Sequence, residues 1–177
     1  MHKILYIVFF FLLIQFSNAQ EALEVDTVIP MPSLSKDVAF IKMSEWASTR
    51  FNSANDAIQL SDKEASIIIC KGLFPFEYGK SITYGNLWGK ISYTLITRFK
   101  DGRIRITVNG FSHETNLPNN MISVSLGAVN TGAHPKYGKN RYVKKYWAAL
   151  QEECVVYSKS LISDITKFIT DNADDNW

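Results

Sequence analysis

The chain has 177 residues, 46% hydrophobic and 20% charged, and its two cysteines and three histidines show no CxxC or HExxH spacing, which excludes a structural zinc site and leaves no metal or cofactor to expect. A formal net charge of +2 argues on global grounds neither for nucleic acid nor for an acidic partner, so any electrostatic role must be local.

His2 and Lys3 form a short basic start, and Ile4 to Ile14 is an unbroken apolar run. Small residues at Ser17 and Ala19 then place a cut after Ala19, which is the layout of a secretory signal peptide. The run is too short for a transmembrane span of about 20 residues. It also lacks the polar interruptions of an amphipathic core helix. No cysteine lies near the cut to carry a lipid. The expectation is a signal peptide over residues 1–19, with no transmembrane anchor after its removal. Residues 20–177 then form a single domain in the periplasm or outside the cell. Such a compartment permits a disulfide between Cys70 and Cys154; two buried free thiols are the alternative.

Leu23, Val25, Thr27 and Ile29 alternate with Glu24 and Asp26, predicting a first strand that ends at Pro30-Met31-Pro32. Ser33 or Ser35 caps a helix whose inner face is Phe40, Met43, Ala47 and Phe51, ending near Asn52 or Ser53. Two short strands follow, Ala57 to Leu60 and Ala65 to Lys71, joined by Ser61-Asp62-Lys63-Glu64 and broken at Gly72. The next hairpin pairs Ile91–Lys100 with Arg103–Asn109 around Asp101-Gly102, a dipeptide suited to a two-residue type I′ turn. That turn sets Lys100 opposite Arg103, Phe99 opposite Ile104, Arg98 opposite Arg105, Thr97 opposite Ile106 and Leu95 opposite Val108. Apolar residues gather on one face and cations on the other.

Residues 112–140 read as a polar loop with one extra strand over Met121–Leu126. A long helix over about 141–170 follows, with a buried stripe of Val143, Trp147, Leu150, Cys154, Tyr157, Leu161, Ile165 and Phe168.

Val25 to Pro32, Ser33-Leu34-Ser35-Lys36, Trp46, Phe51, Asp62-Lys63, Lys71-Gly72 and Asp101-Gly102-Arg103 together resemble a secreted bacterial domain of unknown function with a TBP-like fold, seen mainly in Bacteroidetes. The resemblance covers Val25 to Val108 and implies an α+β fold in β-α-β-β-β-β-α order. Its curved antiparallel sheet of about five strands carries two helices on one face. It implies no activity. TBP binds DNA through its open sheet face, but fold analogy does not transfer function, and an exported protein meets no chromosome; no nucleic-acid partner is expected.

The local feature that points to function is the cationic hairpin face of Arg98, Lys100, Arg103 and Arg105. Like charges opposite each other are destabilising, so they imply either screening by acids and water or an anionic ligand such as a phosphate, a carboxylate or an acidic envelope polymer. A second basic cluster, Lys136, Lys139, Arg141, Lys144 and Lys145, reads as a solvated face. Phe74, Phe76, Tyr78, Tyr84 and Trp88 read as a loop pinned to the core. No nucleophile elbow, Walker loop or Rossmann fingerprint is present, and Glu152-Glu153 point different ways on a helix. The expectation is a non-enzymatic binding module contacting an envelope protein or anionic polymer. The alternative is an envelope hydrolase with a site near His113 or His134, both expected in loops.

Overall fold

The computed structural model describes residues 21–78, 87–115, 125–134, 136 and 141–171. The expected signal peptide over 1–19, Tyr84, Lys139 and residues 121–124 of the expected extra strand lie outside these. The elements run β1 (Val25–Pro30), α1 (Lys36–Arg50), α2 (Ala54–Ala57), β2 (Ile58–Asp62), β3 (Ile67–Phe76), β4 (Gly89–Lys100), β5 (Arg103–Thr115), β6 (Gly127–Ala128) and α3 (Arg141–Asp171). The expected α+β order is present, with a one-turn helix α2 and a two-residue strand β6 added. All described strand pairs are antiparallel, in the order β1-β5-β4-β3-β2, and β6 lies beside the far half of β5.

Strand alternation makes one face of the sheet the core. Ile68, Cys70 and Phe74 of β3 point to it, with Ile91, Tyr93, Leu95, Thr97 and Phe99 of β4 and Ile104, Ile106 and Val108 of β5. Two helices cover that face. α1 buries Ala39, Met43, Trp46 and Ala47; Phe40 and Phe51, expected at its centre, are only partly buried. The stripe turns by one residue because Trp46 reaches α3, where its indole nitrogen donates to Asp164 at 3.0 Å. α3 buries Tyr146, Trp147, Leu150, Cys154, Ser158, Leu161, Ile165 and Ile169. Val143, Tyr157 and Phe168 of the expected stripe are flank residues. Among the described residues no helix is long and apolar enough to cross a membrane.

Three other expectations are corrected. Gly72 does not break β3, which continues to Phe76. It lies opposite Tyr93, and an added Cβ would sit 2.3 Å from the phenolic oxygen, so the bare backbone is what lets the ring lie across the strand. The Asp101-Gly102 turn is not type I′, which requires positive φ at both central residues; only Gly102 has it, at 73°. The tip is docked instead on the β1–α1 connection. Asp101 accepts from Lys36 N at 2.9 Å, Met31 N donates to Gly102 O, and Gly102 N donates to Leu34 O. Ser35 adds the predicted N-cap, accepting from Val38 N.

Next, β5 does not end at Asn109. Between Ser92 and Thr94 the register slips, because Gly110, at φ 64°, makes a bulge. The extra residue reverses the facing of the remainder of the strand, so Phe111 and His113 enter the core instead of Ser112. Of the two alternatives left open for Cys70 and Cys154, the structure has the buried free thiols. Burial pushes the Cys70 thiol up to about 11 and the Cys154 thiol to about 12, which leaves both as inert core residues.

Candidate functional site

The β4–β5 hairpin places the four cations as the sequence implies. Arg98 is paired with Arg105 and Lys100 with Arg103, above the core pairs Phe99–Ile104, Thr97–Ile106 and Leu95–Val108. All four cationic side chains are exposed on the face away from the helices. With Val28 of β1, itself 52% exposed, they surround a shallow hollow of about 270 Å³. Val28 arrives there because β1 runs beside β5 with Val28 opposite Arg105.

The four are not equivalent. Arg105 is held by Asp26 of β1 in a bidentate pair, with Nε donating to Oδ1 and Nη2 donating to Oδ2, each at 2.9 Å. Thr107 donates a further bond to Oδ1 at 2.6 Å. The Arg105 guanidinium, and after it the Thr107 hydroxyl, hold the Asp26 carboxyl below its ordinary range. The same pair raises the pKa of Arg105. One of the four charges is therefore neutralised internally. Among the described residues Arg98, Lys100 and Arg103 make no ion pair. Asp26, Thr107 and Val28 were the components that sequence reading missed. Their polar-apolar alternation was visible, but nothing local in it says that β1 lies beside β5.

The rest of the open face obeys the same register. One row runs Asp62, Ile67, Arg98, Arg105, Val28 across five strands, and the next runs Leu60, Ile69, Ile96, Thr107, Asp26. Leu60 is 42% exposed, and Ile67, Ile69 and Ile96 are half-buried. Lys71 and Leu73 of β3 lie further along, Leu73 with 61% exposure.

Of the two histidines expected in loops, His134 lies in one and His113 does not, and neither is open to solvent. His113 is fully buried in β5. Leu126 N donates to its Nδ1 at 3.2 Å, so the ring proton sits on Nε2 and is donated to Leu87 O at 2.9 Å. The Tyr146 hydroxyl donates to the same carbonyl. His134 is 6% exposed and built alike, with Lys136 N donating to Nδ1 and Nε2 donating to Leu126 O. Its ring stands edge-on to Trp147. His113 of β5 thus holds the 125–134 segment to the sheet through the Leu126 N–H, while His134 braces that segment internally through the Leu126 C=O. Ser112 and Glu114 alternate to the other face and join neither.

Arg141, Lys144 and Lys145 are exposed in the first turns of α3. Of the aromatic segment, Phe74 and Phe76 are core residues of β3, and Trp88 donates its indole N–H to Tyr78 O. Among the described residues no three His, Cys, Asp or Glu side chains come together as metal ligands.

Comparison with known proteins bears on the architecture. The family described as a domain of unknown function (DUF4468) with TBP-like fold matches residues 26–114. A crystal structure of a TBP-like protein from Parabacteroides distasonis is similar with a TM-score of 0.60 at 14% identity, over 84% of this chain and 93% of that one. A DUF4468 family protein from Bacteroides ovatus is similar with a TM-score of 0.57 at 11% identity, over 84% and 86%. Identities this low speak to fold alone. A search of the curated proteins finds no match.

Proposed function

This chain belongs to the family of domains of unknown function (DUF4468) with a TBP-like fold, and on that premise we propose that it is a non-catalytic binding module, exported to the periplasm or beyond, that holds an anionic partner at Arg98, Lys100 and Arg103. One observation carries the reading. Among the described residues, three exposed cations outside any ion pair converge on a hollow of about 270 Å³ whose fourth cation, Arg105, is already neutralised by Asp26. Among the described residues an ion pair with the protein's own acids accounts for Arg105 and for none of the other three, although the Asp26 charge also acts on Arg98 through space. An anion between them relieves the like-charge contacts Arg98–Arg105 and Lys100–Arg103, so its binding must weaken as salt screens the exposed charges.

Dextran sulfate, with neutral dextran as control, is the probe. Wild-type protein binds it at low salt and releases it at high salt. Arg98→Glu with Arg103→Glu abolishes binding while leaving the melting temperature near wild type, because both side chains are exposed. Binding that survives the double substitution overturns the assignment. Export rests on the N-terminal residues, and sequencing the protein recovered from the cell envelope tests it: the expected first residue is Gln20, and an intact Met1 overturns it.

A hydrolytic site near His113 or His134 draws no support from the geometry, since both ring nitrogens of each are committed to backbone groups.

A further inference from the structure

We infer that the partner on this face is an extended polypeptide with acidic, acidic and aliphatic residues at successive next-but-one positions, lying along the strands with its carboxylates on Arg103 and Arg98 and its aliphatic group on the row of Leu60, Ile69 and Ile96. The inference rests on the anion-binding reading above and goes beyond it by naming the partner's chemistry.

The open face holds more than charge. Leu60, Ile69 and Ile96 form a continuous aliphatic row across β2, β3 and β4, one step along the strands from the row that contains Arg98. Side chains on one face of a strand repeat every second residue, so adjacent rows lie roughly 7 Å apart. An extended peptide has the same repeat. A segment aligned with the strands that places an acidic residue over Arg98 therefore places its next-but-one residue over Ile96. Among the described residues no helix covers this face, and the aliphatic row is partly exposed on it.

Other anionic partners fit less of this. A sulfated or phosphorylated polymer satisfies the cations and leaves Leu60, Ile69 and Ile96 wet. A bilayer surface would meet the cations first, because Ile69 and Ile96 are half-buried in the sheet between longer basic side chains. A second copy laid face to face would oppose Arg98, Lys100 and Arg103 to themselves.

Fluorescence anisotropy with a short labelled peptide of glutamate, glutamate and valine alternating with serine (Glu-Ser-Glu-Ser-Val), which turns all three to the sheet, set against polyglutamate of equal charge, separates these cases. The alternating peptide is expected to bind at least tenfold more tightly. That ratio corresponds to about 1.4 kcal/mol, or roughly 55 Å² of apolar surface at about 25 cal/mol per Å². Leu60→Ser with Ile69→Ser removes the advantage and leaves polyglutamate binding unchanged. Leu60→Ser alone, at a position 42% exposed, gives a partial loss in a variant whose fold is not at risk. Arg98→Glu with Arg103→Glu abolishes both. Equal binding of the two peptides, or tighter binding of dextran sulfate or of phosphatidylglycerol vesicles, overturns the polypeptide inference while leaving the anion site standing. Binding of the alternating peptide that ignores both salt and the arginine substitutions overturns the anion site itself.

Discussion

Substituting His113 by leucine keeps roughly the bulk of the imidazole and deletes both of its polar contacts. The Leu87 carbonyl keeps the Tyr146 hydroxyl as donor, so its loss is that of one hydrogen bond, about 0.5–1.5 kcal/mol. The Leu126 amide is left without an acceptor in the core, at about 1–3 kcal/mol. The sum is on the order of 2–4 kcal/mol. In a domain of this size each kcal/mol moves the melting temperature by about 2–4 °C, so a fall of roughly 10 °C is expected. Acid should reproduce part of the effect in the wild type. Burial in the core holds the His113 pKa below its ordinary value, and a proton on Nδ1 would face the Leu126 N–H. The neutral ring's contribution is therefore complete above the unfolded imidazole value of about 6.5, and it is lost as the pH falls through the lower folded value. Urea titrations followed by circular dichroism, at neutral pH and at mildly acidic pH, measure both effects. The wild type should lose stability with acid more steeply than His113→Leu. A cost below about 1 kcal/mol, or parallel pH profiles, would refute the assignment of His113 as the clamp on Leu126.

Other substitutions probe single features. Thr97 Oγ1 is buried with no hydrogen-bond partner among the described residues, so Thr97→Val should stabilise by about 1 kcal/mol in urea denaturation; a loss of stability would mean the hydroxyl is satisfied. Gly110→Ala must adopt a positive φ and set its methyl 3.2 Å from Thr94 Oγ1. The expected cost is roughly 1–2 kcal/mol, read by thermal melt, and a neutral result would mean the bulge is absent. Asp26→Ala releases Arg105 as a fourth cation in the hollow, so dextran sulfate binding should tighten with little change in melting temperature; weaker binding counts against the cluster. Cys70 and Cys154 should be silent to Ellman's reagent in the native state and both react on unfolding, and the intact mass should not change on reduction.

The long helix and the central hairpin were readable because their signals are local. In α3 the threes-and-fours spacing of Trp147, Leu150, Cys154, Leu161 and Ile165 marked the buried side without reference to any other element. Tyr146 was overlooked because a tyrosine beside Trp147 gives no sign of which ring goes inward. Phe76 was read as part of a loop pinned to the core and not as the end of β3, because Gly72 looks like a terminator until Tyr93 is seen lying across it.

From the amino acids alone came the alternation of β4 and β5 and the two-residue connection between them, and those suffice to put Arg98, Lys100, Arg103 and Arg105 on one face. A period of two is a property of a strand by itself and survives whatever the strand packs against. Tertiary structure decided which of those cations stays available. β1 settles beside β5 and delivers Asp26 to Arg105, the hairpin tip gives up its type I′ shape to cap α1, and one residue inserted at Gly110 turns His113 from the surface to the core. Each is a contact between segments far apart in the chain, and no short-range pattern encodes which distant neighbour a strand will meet.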